Sequence, residues 1–184
     1  MSDEKQQRLQ GRLGPEIAEF RQACQTLQLA TVSQDGQPNV SYAPFAMHDK
    51  AYYILISQIA RHARNLLENP KVSLMLIESE QEARSIYARK RLSFDAQVSV
   101  VTRETPDWQA AIDGLKDRFG DIIDGLSELE DFVLFKLSPE QGLFVKGFGQ
   151  AFQVSGDDMV DVVHLTEGHK KRQPEADSES VTNA

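Results

Sequence analysis

The chain has 184 residues, 40% of them hydrophobic and 26% charged, with a formal net charge of −8. This is the size of one domain, long enough to bury a core without covalent staples. The acidic balance argues against a nucleic-acid binder, no apolar run reaches membrane-spanning length, and the single cysteine, Cys24, excludes an intrachain disulfide.

The start, "MSDEKQQRLQ", is polar and has no apolar signal region, so a cytoplasmic protein is expected. Residues 1–14 read as a polar arm. Pro15 opens a helix, with Ile17, Phe20, Cys24 and Leu27 at helical spacing. "LQLATVS" (27–33) reads as a strand, "QDGQP" (34–38) as a hairpin turn, "NVSYAPFAM" (39–47) as the returning strand and "AYYILIS" (51–57) as a third. "HDK" (48–50) is a polar turn, which makes His48 a loop residue. A short helix over 61–70 is stopped by Pro70, and 71–78 and 89–103 follow as strands.

Residues 105–131 read as helical, with breaks at Gly120 and Gly125; Trp108, Phe119 and Ile122 supply its core face. Two strands follow over 132–139 and 142–155, then a last short helix over 157–165. Residues 170–184 have almost no apolar content and are expected to be disordered. Many short strands linked largely by hairpins, with helices outside, point to a small closed antiparallel barrel.

Basic residues cluster at 60–64, 88–91 and 169–172. On an acidic protein such clusters suit a small anionic ligand better than a polyanion, although each alone reads as a solvated face. "GFGQAF" (147–152) joins strand to strand, so it is not a phosphate-cradling loop. His169, after Gly168, is by default a solvated tail residue. His164 lies five residues earlier, about 140° away on a continuous helix, so the two do not form a chelating pair. On the residues alone, Asp131 is a loop aspartate and Arg91 an exposed strand arginine sharing a face with Arg89.

"LATVSQDGQPNVSYAPF", "AYYILIS" and "ARNLLENPKVSLMLIE", in that order, resemble the flavin-binding split-barrel superfamily, the pyridoxamine-phosphate-oxidase-like fold. "RLQGRLGPEIAEFR", "IARHARNL", "ARKRLSFDA", "FGDIIDGLSELEDF", "GLFVKGFGQAFQVSGDD" and "HLTEGH" narrow the resemblance to HugZ/HutZ-type haem-utilisation proteins across nearly all of residues 8–169. The resemblance implies a mainly β, antiparallel split barrel with flanking helices, over residues 15–169, working as a homodimer with haem at the subunit interface. It implies oxidative opening of haem to a biliverdin-type product with release of iron. Haem is then both cofactor and substrate, FMN is not expected, and the further partners are an external reductant and a cytoplasmic haem donor, with no nucleic acid or membrane.

Residue by residue, the resemblance makes His169 the axial ligand of the haem iron, with His164 as the alternative. It makes Asp131 the acceptor of the ligating imidazole's N–H, and places Arg91 near the haem, where a guanidinium pairs with a propionate. Arg61, His62 and Arg64 fall where flavin-binding relatives hold phosphate, which keeps an FMN-dependent oxidoreductase open; His62 reads otherwise as a helix-surface residue. Haem storage or transfer without turnover is the other alternative.

Overall fold

The computed structural model describes residues 3–156 and 160–161. Helix α1 (Asp3–Ala23) is followed by strands β1 (Thr26–Val32), β2 (Pro38–Pro44), β3 (Ala46–His48) and β4 (Ala51–Ser57). Helix α2 (Arg61–Glu68), β5 (Lys71–Ile77), a 3-10 turn (Ile86–Ala88) and β6 (Arg91–Val100) come next. Helices α3 (Pro106–Phe119) and α4 (Ile122–Glu128) precede β7 (Phe132–Gly147), β8 (Gln150–Ser155) and β9 (Val160–Asp161).

All strand pairs are antiparallel, in the order β2-β1-β5-β6-β7-β4-β3, with β8 on β7 and β9 on β8. The sheet curls into a half-barrel and is not hydrogen-bonded shut: β2 and β3 end the path and no ladder joins them among the described residues. Pro38 and Pro44 bracket β2, and proline, which has no N–H to give a ladder, is tolerated at such an edge. The open sheet corrects the expectation of a closed barrel and fits the split one.

Strand β1 alternates, with Leu27, Leu29 and Thr31 turned inward. Strand β4 is buried on both faces. Tyr52, Ile54 and Ile56 join the barrel core with Phe45, Phe94, Phe135 and Phe144. Ala51, Tyr53 and Leu55 join a second cluster beneath α3 and α4 with Trp108, Leu115 and Ile123. This double burial is why β4 reads as a continuous apolar run rather than an alternating one.

Several elements depart from expectation. Helix α1 starts at Asp3 and carries Pro15 inside it, where a polar arm is expected through residue 14. Leu13 and Ile17, four apart, are both buried, so one apolar stripe continues through the proline. The two expected strands 132–139 and 142–155 regroup as the long β7 and the shorter β8, and 39–47 divides into β2 and β3. The long β7 survives its middle because Gly142 lies against the Ser93 carbonyl and the Phe94 ring, where a Cβ has no room. Gly120, at φ 77°, does end α3, whereas Gly125 is inside α4.

Ile122, expected in the core, is 64% exposed at the first turn of α4, while its neighbour Ile123 is buried. Val160–Asp161 pairs with Val154 and Gln153 as a strand, not the helix expected over 157–165; its valine-rich text favours an extended chain. The rest of that segment, with His164 and His169, lies outside the described residues, as does the tail 170–184.

Candidate functional site

Asp131 stands at the start of β7 on the connection from α4, and two neighbouring segments hold that connection. On one side Arg103 donates to the carbonyls of Leu129 (2.6 Å) and Phe132 (2.9 Å) and also to that of Ser127, with its guanidinium 4.8 Å from the Trp108 ring centre. On the other side β4 runs alongside, with Ser57 opposite Phe132. There the Ser57 hydroxyl donates to Asp131 Oδ2 at 2.5 Å, and the Gln58 amide donates to the Asp131 carbonyl at 2.8 Å. The Ile59 amide donates to Ser57 Oγ at 3.1 Å. Asp131 is half-buried, and among the described residues its Oδ1 receives no hydrogen bond.

Arg91 opens β6 at the other end of the sheet, opposite Val145 of β7 and Ile77 of β5. Its expected partner on the same face, Arg89, is occupied: Arg89 donates to the Glu78 carbonyl and lies 3.4 Å from Glu80. Lys90 is occupied too. It and Lys146 converge on Glu16 of α1, at 3.4 and 2.5 Å. Burial opposes the charge on Glu16, but the hydrogen bond and charge of Lys146, with Lys90 behind them, outweigh it and hold its carboxyl below the usual range. Arg91 itself donates to the Arg89 carbonyl at 3.3 Å and makes no ion pair among the described residues. Two exposed aromatic side chains mark the same end: Tyr87, on the 3-10 turn just before β6, is 91% exposed, and Phe148, in the turn after β7, is 66% exposed.

The chain therefore does not bring Arg91 and Asp131 together. Fourteen residue steps along β7 separate Asp131 from Val145, a contour of about 45 Å at strand rise.

The basic helix α2 leaves Arg61 and Arg64 exposed and His62 partly exposed. His62, expected at the helix surface, has its Nε2 buried with no hydrogen-bond partner among the described residues, and burial pushes its pKa down. Arg64 donates to the carbonyls of Ile59 and Gln58, bracing the turn that carries Ser57, while Arg61 is exposed. Asn65 is buried and donates to Thr31 Oγ1 at 3.0 Å, tying α2 to β1.

A recess of about 540 Å³ lies at the Arg91 end of the sheet, between α1 and the segment after β5. Glu16, Glu19, Glu78 and Glu82 line it with Lys90, an acidic balance that disfavours a ligand carrying carboxylates. The polar contacts that position Asp131, Ser57 and Arg103 foremost, have no sequence signal: Ser57 is 74 residues away from it.

The Pyridoxamine 5'-phosphate oxidase family model matches residues 13–146. Heme oxygenase HutZ of Vibrio cholerae serotype O1 is 65% identical over 167 residues, which are 91% of this chain and 95% of that protein. A crystal structure of V. cholerae HutZ, described as a heme storage protein, matches with a TM-score of 0.71 at 62% identity, over 75% of this chain and 97% of that one. The crystal structure of Campylobacter jejuni ChuZ matches with a TM-score of 0.78 at 31% identity, over 87% of this chain and 66% of that one. With the curled antiparallel sheet and its strand order, these similarities show that the chain belongs to the pyridoxamine 5'-phosphate oxidase family of split barrels and, within it, to the HugZ/HutZ type.

Proposed function

We propose that the protein binds haem between two subunits and, with dioxygen and electrons from an outside reductant, opens the ring to a biliverdin-type product and releases the iron. The observation that carries this reading is the 65% identity to a heme oxygenase along almost the whole of both chains. Haem supplies the iron centre and is also the molecule consumed.

The described residues fit that ligand. Haem presents two carboxylates and an iron that takes an imidazole donor. Arg91 is a guanidinium with no acidic partner among the described residues, and it pairs with a propionate. Asp131 offers Oδ1 to the N–H of the ligating imidazole, which fixes the tautomer and makes the ring a stronger donor. His169 is the proposed ligand. Because Arg91 and Asp131 stand at opposite ends of one chain's sheet, a site that uses both draws on two copies.

Storage of haem without turnover is the second reading, favoured by the description of the V. cholerae HutZ crystal structure as a heme storage protein. The experiment is to add haem, and separately FMN, to the purified protein and record absorption spectra, then to supply ascorbate in air. The proposed function predicts a histidine-ligated haem spectrum that decays under ascorbate, and no FMN complex. A stable haem complex under ascorbate supports storage, and tight FMN binding supports a flavin enzyme.

A further inference from the structure

We propose that Ser57 is a positioning residue of this site: its hydroxyl holds Asp131 Oδ2, so that Oδ1 is the oxygen presented to the ligating imidazole. The inference rests on the haem reading above and concerns a residue that neither touches the porphyrin nor ligates iron.

The hydroxyl of Ser57 has a fixed direction. Its oxygen accepts the Ile59 amide at 3.1 Å, and its proton goes to Asp131 Oδ2 at 2.5 Å. A carboxylate is an acceptor only, so the serine is the donor of this pair. The Gln58 amide pins the Asp131 backbone at 2.8 Å, and Arg64 braces the carbonyls of Gln58 and Ile59 from α2. Backbone and side chain of Asp131 are thus both held by the β4–α2 turn. Oδ1 is left without a donor among the described residues.

An aspartate on a turn, without such a hold, rotates about its two side-chain torsions. Its hydrogen bond to an imidazole then weakens steeply as the angle degrades. A fixed acceptor keeps the imidazole in one tautomer and one orientation, so the serine acts on the iron through the aspartate. The competing account is that the serine merely closes the β4–α2 turn. That account moves stability and leaves the electronic character of the ligand alone.

The test is the iron–histidine stretching frequency of the ferrous haem complex, measured by resonance Raman for the parent, Ser57→Ala, Ser57→Thr, Asp131→Asn and the double variant Ser57→Ala with Asp131→Asn. Ser57→Ala lowers the frequency toward that of Asp131→Asn, and the double variant equals Asp131→Asn alone. Ser57→Thr, which keeps the hydroxyl, stays with the parent. Haem degradation by Ser57→Ala slows by about tenfold. Should Ser57→Ala not fold, Ser57→Cys keeps the size but is a weak donor, and it gives the same lowering. A parent-like or higher frequency in Ser57→Ala or Ser57→Cys, with Asp131→Asn lowered, overturns the inference while the haem reading stands. A parent complex without an iron–histidine band overturns both.

Discussion

Arg91 and Asp131 stand at opposite ends of the same antiparallel pair: Arg91 faces Val145 near the end of β7, and Asp131 immediately precedes its first residue. Under the proposed function, a site that uses both, one to hold a propionate and one to tune a ligand, draws on two copies of the chain. The protein is therefore expected to sediment as a dimer. Mixing an Arg91→Ala chain with an Asp131→Asn chain restores one intact site per heterodimer and part of the activity. A monomer that binds haem one-to-one through histidine contradicts this arrangement.

Truncation after Glu167 removes His169 and the polar tail. Among the described residues the core is complete without them, from Leu13 on α1 to Val154 on β8. The truncated chain is expected to melt within a few degrees of the parent and to lose the histidine-ligated haem spectrum. If that spectrum persists, His169 is not the ligand and His164 or His62 takes its place as the candidate.

Asp131→Asn is expected to keep haem bound and to slow its degradation by about tenfold to a hundredfold. Asparagine still offers an oxygen to the imidazole N–H but has no charge to strengthen it. The measurement is haem affinity by titration beside the decay of the haem band under ascorbate. Equal decay in variant and parent refutes the role of Asp131, and loss of binding makes it a pocket-building residue instead.

Acid should destabilise the fold in two stages. Burial holds the His62 imidazole below its ordinary 6.5, so the folded state binds fewer protons than the unfolded one. Its contribution is fully present above 6.5 and erodes as pH falls from there toward the lowered folded value. The Glu16 carboxyl is held below its ordinary 4.5, so its contribution is present above 4.5 and is lost as pH falls through the folded value. His62→Phe abolishes the first stage, read as melting temperature against pH. An unchanged profile in that variant shows that the buried imidazole carries no such linkage.

Gly142→Ala is expected to cost about 2–3 kcal/mol, because the added Cβ meets the Ser93 carbonyl and the Phe94 ring at a closely packed pair of strands. Chemical denaturation measures it. A variant as stable as the parent means the strands separate there without penalty.

Much of the barrel was legible because its strands follow simple rules. The alternation of β1, the apolar run of β4 and the Asp35-Gly36 turn, with Gly36 at φ 83°, each announce their structure. The start of α1 was not legible: Pro15 reads as a first helical residue, and only tertiary burial of Leu13 shows that the helix is already under way. The site was legible in a different way. Asp131 and Arg91 carry no signal of their own and were singled out by resemblance. The contacts on Asp131 come from Ser57 and Gln58, which are distant in the chain and enter through strand register, while Arg103 holds the carbonyls on either side of it. His62 stays partly exposed as a helix-surface residue would, and what the sequence does not announce is that its Nε2 is covered and that Asn65 turns inward.

The most direct test of the central claim is the product formed when the haem-loaded protein is given ascorbate under isotopically labelled dioxygen. The account predicts loss of the haem band, iron captured by a ferrous chelator, and an open-chain tetrapyrrole carrying oxygen from labelled dioxygen by mass spectrometry. Haem recovered intact, with iron still in the ring after many equivalents of reductant, would contradict it.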